Sequence, residues 1–166
     1  LQECPAGHYF SVFVVRKEDP RKSLAEFDSA RFAFNEENSQ SGFAAPLNHA
    51  APFGVTFGDR IRSGGHTKSA EMVANNTADI ASLDAVTWKL IKRYDSFASN
   101  LRVLERTNPT TPALPFITSL ANDPAVIRTA FATALKTLPD EQKQTLCLLG
   151  LTQIPATDYL CIPNPT

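Results

Sequence analysis

Arg31-Phe32-Ala33-Phe34-Asn35-Glu36-Glu37-Asn38-Ser39-Gln40-Ser41-Gly42 contains the change of hydrophobic period that decides the fold. Its first five residues alternate as a strand, the next five are polar loop, and a helix opens at Ser41-Gly42 and ends by Pro52. The first amides of a helix lack intrahelical acceptors and carry partial positive charge, so Ser39, Gln40 and Ser41 are placed to cradle an anionic or strongly polar group. Gly42 lets backbone come close. The local alternative is that Asn38 or Ser39 simply caps the helix.

The same junction recurs twice, which favours a site over a cap. Asp59-Arg60-Ile61-Arg62 leads into Ser63-Gly64-Gly65-His66 and a helical segment whose Ala70, Val73 and Ala74 share a buried face. Asp79-Ile80-Ala81-Ser82-Leu83 leads into Asp84 and a helix over 85–94, with Val86, Leu90, Ile91 and Tyr94 predicted on one side. In an α/β sheet with parallel strands such turns gather at the carboxyl edge, where these sheets bind ligands.

A chain of 166 residues, 43% hydrophobic and 20% charged, has the composition of a globular protein with one good core. With 16 basic against 17 acidic side chains and no basic run, a nucleic-acid partner is disfavoured. No apolar run approaches the length of a membrane span. The first residue is Leu1, so the sequence reads as processed or as part of something longer. Cys4, Cys147 and Cys161 have no metal-ligand spacing, and no metal or cofactor is expected. Cys147, among leucines, reads as a buried small hydrophobe.

Residues 1–8 read as a linker or crossover. Tyr9-Phe10-Ser11-Val12-Phe13-Val14-Val15 is a buried strand, and Ser23-Leu24-Ala25-Glu26 fits a capping box. Leu101-Arg102-Val103-Leu104 is a further strand. Three prolines within 108–115 make a stiff, extended segment suited to a crossover between lobes. Phe116-Ile117-Thr118 reads as a short strand. Asn122-Asp123-Pro124 opens a helix over 124–136 with Ile127, Ala130, Phe131, Ala134 and Leu135 as its apolar stripe. Another helix opens at 137–140 and is expected to stop at Gly150.

Ser41, His66 and Asp84 are the residue types of a serine hydrolase, but Ser41 does not stand in a Gly-x-Ser-x-Gly turn, and the sequence is read as non-catalytic. His66 follows two glycines at a helix start; site residue and solvated capping side chain are its two readings. Asp84 is a helix cap or a site residue, and as the latter a carboxylate facing an anion needs a proton or a cation between them. Tyr9 is strand packing or a ligand-facing ring, packing being the simpler role. Trp88, off the Val86/Leu90/Ile91 face, is assigned to lobe packing. His8 and His49 are read as structural.

The blocks Tyr9-Phe10-Ser11-Val12-Phe13-Val14-Val15-Arg16, Arg31-Phe32-Ala33-Phe34-Asn35, Asn38-Ser39-Gln40-Ser41-Gly42, Ser63-Gly64-Gly65-His66 and Ala78-Asp79-Ile80-Ala81-Ser82-Leu83-Asp84-Ala85-Val86-Thr87-Trp88 resemble, in order and spacing, the phosphate/phosphonate-type solute-binding proteins of ABC importers. The resemblance implies a type 2 periplasmic-binding fold: an α/β lobe with a central mixed sheet flanked by helices, plus C-terminal helices returning toward a first lobe. On that basis 9–101 would form the second lobe and 102–166 the return crossover and helical part of the first, most of which this sequence lacks. Cys4 would pair with a cysteine in the missing part.

The implied function is non-catalytic binding of a small polar or anionic solute by lobe closure, in the periplasm or another extracytoplasmic space, with ABC transporter membrane subunits as partners. An extracytoplasmic sensing domain of a receptor is the alternative. By resemblance Ser39, Gln40, Ser41 and His66 face an oxyanion, with Tyr9 and Asp84 at the cleft edge. The sequence departs from the pattern at Gln40, where phosphonate binders carry Thr, and at Ala113 and Leu114, where they carry an acid.

Overall fold

A computed structural model describes residues 3–163. Strand β1 (His8–Tyr9) is followed by β2 (Ser11–Arg16), and a 3-10 turn at Leu24–Phe27 leads to β3 (Phe32–Phe34). A π-helical turn at Gln40–Ala44 runs into α1 (Ala45–Ala50). Next come β4 (Arg60–Arg62), α2 (His66–Ala74), β5 (Ile80–Asp84), α3 (Ala85–Tyr94) and β6 (Leu101–Arg106). The rest holds β7 (Thr111–Pro112), α4 (Pro124–Thr137), α5 (Asp140–Thr145) and α6 (Ala156–Leu160).

The main sheet is mixed, in the order β4-β3-β5-β2-β6. Strand β3 pairs in parallel with β4 and β5, while β2 runs antiparallel to β5 and β6. The parallel trio therefore ends at one edge, as the three junctions require. Helices cover both faces, so the period-2 alternation separates two apolar layers rather than apolar from wet. Val12, Val14, Ala33, Ala81 and Leu83 pack with Val73, Trp88 and Ile91 on one side. Phe13, Val15, Phe32, Phe34 and Ile80 pack with Phe27, Val55 and Phe57 on the other.

The non-site edge is locked by charge. Asp79 accepts from the amide, Nε and Nη2 of Arg31, each at 3.0 Å, and from Arg16 Nη2 at 3.3 Å. Arg16 also donates to the carbonyls of Val73 and Ala78, collecting acceptors left at the C-terminal end of α2. The capping box forms, with Glu26 Oε2 accepting from Ser23 N and Oγ at 2.9 Å.

Several local expectations are corrected. The strand expected over 9–15 breaks at Phe10: Tyr9 pairs with Thr111 in a separate two-stranded ribbon, and only 11–16 enter the main sheet. Residues 116–118 form no strand, and Phe116 is 74% exposed. The inward face of α3 is Ala85, Trp88 and Ile91, so Trp88 is core at 5% exposure and Tyr94 is outside at 66%. Helix α5 ends before Gly150: Cys147 takes the left-handed conformation, φ 58°, and Leu148 N–H donates to Lys143 O. Cys147 is half-buried, not buried.

Candidate oxyanion site at the sheet edge

The β3 junction is a wide turn. Ser39 accepts from Gly42 N–H at 3.0 Å, and its carbonyl takes the amides of both Phe43 and Ala44, which sets the π-helical spacing. Ser39 is thus a cap, and its hydroxyl is engaged by the turn itself. Ser41 is buried, and its carbonyl accepts from the hydroxyl of fully buried Ser82 at 2.8 Å, so β5 fixes the turn from beneath. Gln40 is half-buried at the head of the turn.

The β4 junction is knotted by Ser63, whose Oγ bonds Phe34 O at 3.0 Å and Ser69 Oγ at 2.7 Å. Ser63 is therefore internal scaffolding. Gly65 precedes α2 with no side-chain cap, so the first amides of α2 stay open beside His66. His66 Nε2 lies 2.9 Å from Ser41 Oγ and 3.6 Å from Asp84 Oδ2. Its Nδ1 is buried with no hydrogen-bond partner at ordinary geometry. Burial lowers the imidazole pKa, against opposing effects of the Asp84 charge and the Ser82 backbone. The ring is neutral near pH 7.

Asp84 is the cap of α3 and also stands beside His66. Oδ1 caps α3 by accepting from Val86 N at 3.1 Å and Thr87 N at 2.8 Å, while Oδ2 turns toward His66. The Tyr9 phenol faces the hydroxyls of Thr111 and Ser41. Its pKa is raised, chiefly by burial, with Asp84 adding to the effect and the two hydroxyls opposing it. It remains a donor.

Tyr9, Ser41, His66 and Asp84 thus form one cluster, while Ser39 and Gln40 shape the turn that presents Ser41. Among the described residues no lysine or arginine bonds to any of the four clustered residues. The arrangement is not that of a hydrolytic relay, which needs nucleophile and acid on opposite imidazole nitrogens. Here both approach Nε2. Among the described residues no group of His, Cys, Asp and Glu could hold a metal ion. A surface concavity of about 530 Å³, lined by Lys92 to Ser96 with Ala98 and Ser99, lies at the opposite end of α3.

Reading the sequence alone misses Ser82, Asn35 and Thr111. Ser82 was detectable, being the polar residue within the apolar run Ile80-Ala81-Ser82-Leu83. Asn35 matters through Gly42: a β-carbon there would lie 2.0 Å from Asn35 Oδ1 and 3.0 Å from His66 Cε1. Thr111 lies in the proline-rich segment, in the short strand that pairs with Tyr9, and carries no sequence signal of its own.

No curated protein matches the chain. Among solved structures, a binding protein component of an ABC phosphonate transporter from Pseudomonas aeruginosa is 24% identical with a TM-score of 0.68, covering 86% of this chain and 50% of that one. PhnD1 from Prochlorococcus marinus, in complex with methylphosphonate, is 27% identical with a TM-score of 0.59, covering 64% and 43%. XAC2383 from Xanthomonas citri, bound to ATP, shares the fold at 19% identity and TM-score 0.67, covering 93% and 63%. The chain thus spans less than two thirds of the length of each. The family model described as ABC transporter, phosphonate, periplasmic substrate-binding protein matches residues 5–159. By that match the chain belongs to the periplasmic substrate-binding proteins of phosphonate ABC transporters.

Proposed function

We propose that the chain contributes the binding surface for a small oxyanionic solute of the phosphonate class, held without catalysis for delivery to ABC transporter membrane subunits. The observation that carries this is the meeting of Ser41, His66, Asp84 and Tyr9 at the carboxyl edge of β3, β4 and β5. Ser41 and Tyr9 supply hydroxyls, and the open first turns of the π-helical segment and α2 supply amides with partial positive charge. Ser39 and Gln40 are assigned to the backbone cradle. The methylphosphonate in the Prochlorococcus marinus relative supports the ligand class.

We assign 9–101 to one lobe and 102–166 to the return crossover and part of a second. Supporting this, Leu114, Phe116, Ile117, Leu120, Val126 and Leu149 are all exposed, and α4 has no buried residue, as surfaces shaped to be covered would be. Closure of two lobes then supplies the differential affinity that traps the ligand.

Calorimetric titration of the full-length protein with methylphosphonate tests the reading. Ser41→Ala and His66→Gln should each weaken binding at least about tenfold, the loss of a hydrogen bond to a charged group being ~1.5–3 kcal/mol. Unchanged affinity in both variants would sink the site assignment. The 166-residue chain by itself should bind far more weakly than the full-length protein, and an acyl-phosphonate probe should leave Ser41 unlabelled.

A further inference from the structure

We propose that His49 is a positioning residue of the ligand site: by accepting the amide of Asn108 it holds α1 against the segment that leads into β7, and so sets where Tyr9 meets Ser41. The inference rests on the oxyanion reading above and adds a residue outside the Tyr9, Ser41, His66 and Asp84 cluster. Helix α1 grows directly out of the Gln40–Ala44 turn that presents Ser41. On the other side of the site, Thr107 is tied to the main sheet, its N–H donating to Ser11 O and its Oγ1 accepting from Ser11 N–H, both at 2.9 Å. Thr111 then pairs with Tyr9 in the two-stranded ribbon. Between these two anchors, among the described residues, the only hydrogen bonds of 108–110 go to His49 Nδ1. Asn108 N lies 3.1 Å from that nitrogen and Asn108 O 3.2 Å.

The two ring nitrogens divide the work. Nε2 lies 2.9 Å from Glu105 Oε1 on β6, and an ionised carboxylate only accepts, so in the neutral ring the proton sits on Nε2 and Nδ1 is left to accept from Asn108 N–H. The ring is packed as well as bonded: its centroid is 5.8 Å from that of Phe13 and 5.6 Å from that of Phe53, and the side chain is only 12% exposed. Bonds at both nitrogens and an aromatic ring at two faces leave it one orientation. The pin and the site therefore join the same two pieces of chain. At the site, the Tyr9 phenol faces the hydroxyls of Ser41 and Thr111; at the pin, α1 reaches Asn108, three residues before Thr111. Releasing Asn108 frees 108–110 to shift, and with them the ribbon that aims the phenol. Two hydroxyls that no longer converge lose their common oxyanion.

The test is calorimetric titration of the full-length protein with methylphosphonate. His49→Phe keeps a ring for Phe13 and Phe53 but offers Asn108 nothing, and should lose about tenfold in affinity, within the range for residues that act on a site through a chain of contacts. His49→Asn places an oxygen where Nδ1 stands and should recover most of that loss. His49→Gln reaches the place of Nε2, beside Glu105, and should not. With the phenol hydroxyl already gone in Tyr9→Phe, adding His49→Phe should cost nothing further. The amide resonance of Thr111 should move in His49→Phe and His49→Gln and return in His49→Asn. Unchanged affinity in His49→Phe, equal affinity in His49→Asn and His49→Gln, or the full further loss in the Tyr9→Phe background would each overturn the proposal while leaving the oxyanion reading in place. Should His49→Phe fail to fold, the Asn and Gln variants decide. No binding by the wild-type protein would overturn both.

Discussion

A β-carbon at position 42 would meet Asn35 Oδ1 at 2.0 Å and His66 Cε1 at 3.0 Å. Ordinary contact begins at about 3.5 Å, so in Gly42→Ala the Asn35 oxygen must retreat by roughly 1.5 Å. That oxygen is buried and makes no hydrogen bond, so its displacement breaks nothing specific. The cost is overpacking, ~1–3 kcal/mol in general, and the lower end applies because the obstacle is the free end of a side chain. Against it, alanine in a helical turn recovers ~0.5–1 kcal/mol of backbone entropy. Gly42→Ala should therefore be mildly destabilising. In an Asn35→Ala background the obstacle is gone, and the same substitution should become neutral or stabilising. The coupling is ~1–2 kcal/mol, within the range for residues in contact. Urea unfolding followed by Trp88 fluorescence gives the four stabilities of the cycle. The His66 Cε1 proton resonance reports on the site and should shift in Gly42→Ala, less so in the double variant. An identical stability change in both backgrounds would refute the contact.

Three further outcomes follow from the same geometry. Ser82→Ala strips the Ser41 carbonyl of its buried donor and should cost ~1–2 kcal/mol, with faster hydrogen exchange at Phe43 and Ala44. The bonds from Arg31, followed by those from Arg16, hold the Asp79 carboxyl well below the usual range. Its stabilisation is complete above the unfolded value of about 4 and is lost as pH falls toward the depressed folded value, so Asp79→Asn should unfold at higher pH in an acid titration and lose ~1–3 kcal/mol at pH 7. The imidazole of His66 is depressed by burial, so the unfolded chain binds the extra proton and stability should fall as pH drops below about 6.5. Melting temperatures between pH 7.5 and 5 should show that slope weakened in His66→Gln.

Where sequence and structure agree, the reason is that the relevant energy is local or periodic. The three parallel strands and their junctions show in the sequence because each strand alternates, each helix has its own start, and parallel strands must end together. Where they disagree, a tertiary contact decides. Tyr9 cannot be separated from the β2 run by composition, since aromatic and β-branched residues continue across Phe10, and only pairing with Thr111 turns it out of the sheet. The rotation of α3 is fixed by its docking on β5, which brings Trp88 inward and leaves Tyr94 in solvent. The end of α5 is set by a Schellman-type pair, Cys147 N–H to Gln144 O and Leu148 N–H to Lys143 O, closed by a non-glycine left-handed residue.

Asp84 belongs at once to a helix terminus and to the polar cluster. One dimension offers two roles, cap or ligand partner, as though they excluded each other. A carboxylate has two oxygens, and in three dimensions each finds a different neighbour: one belongs to the helix, the other faces His66. The cap bonds fix the orientation of the whole group, so the second oxygen is held rigidly at its post. Its removal by Asp84→Ala should therefore cost twice in separable ways: ~1 kcal/mol of stability from the lost cap, which Asp84→Asn largely retains, and a shift of the His66 imidazole resonances as the neighbouring charge goes, which Asp84→Asn shares. A variant pair in which stability and the His66 resonances moved together would show that the two oxygens do not act independently.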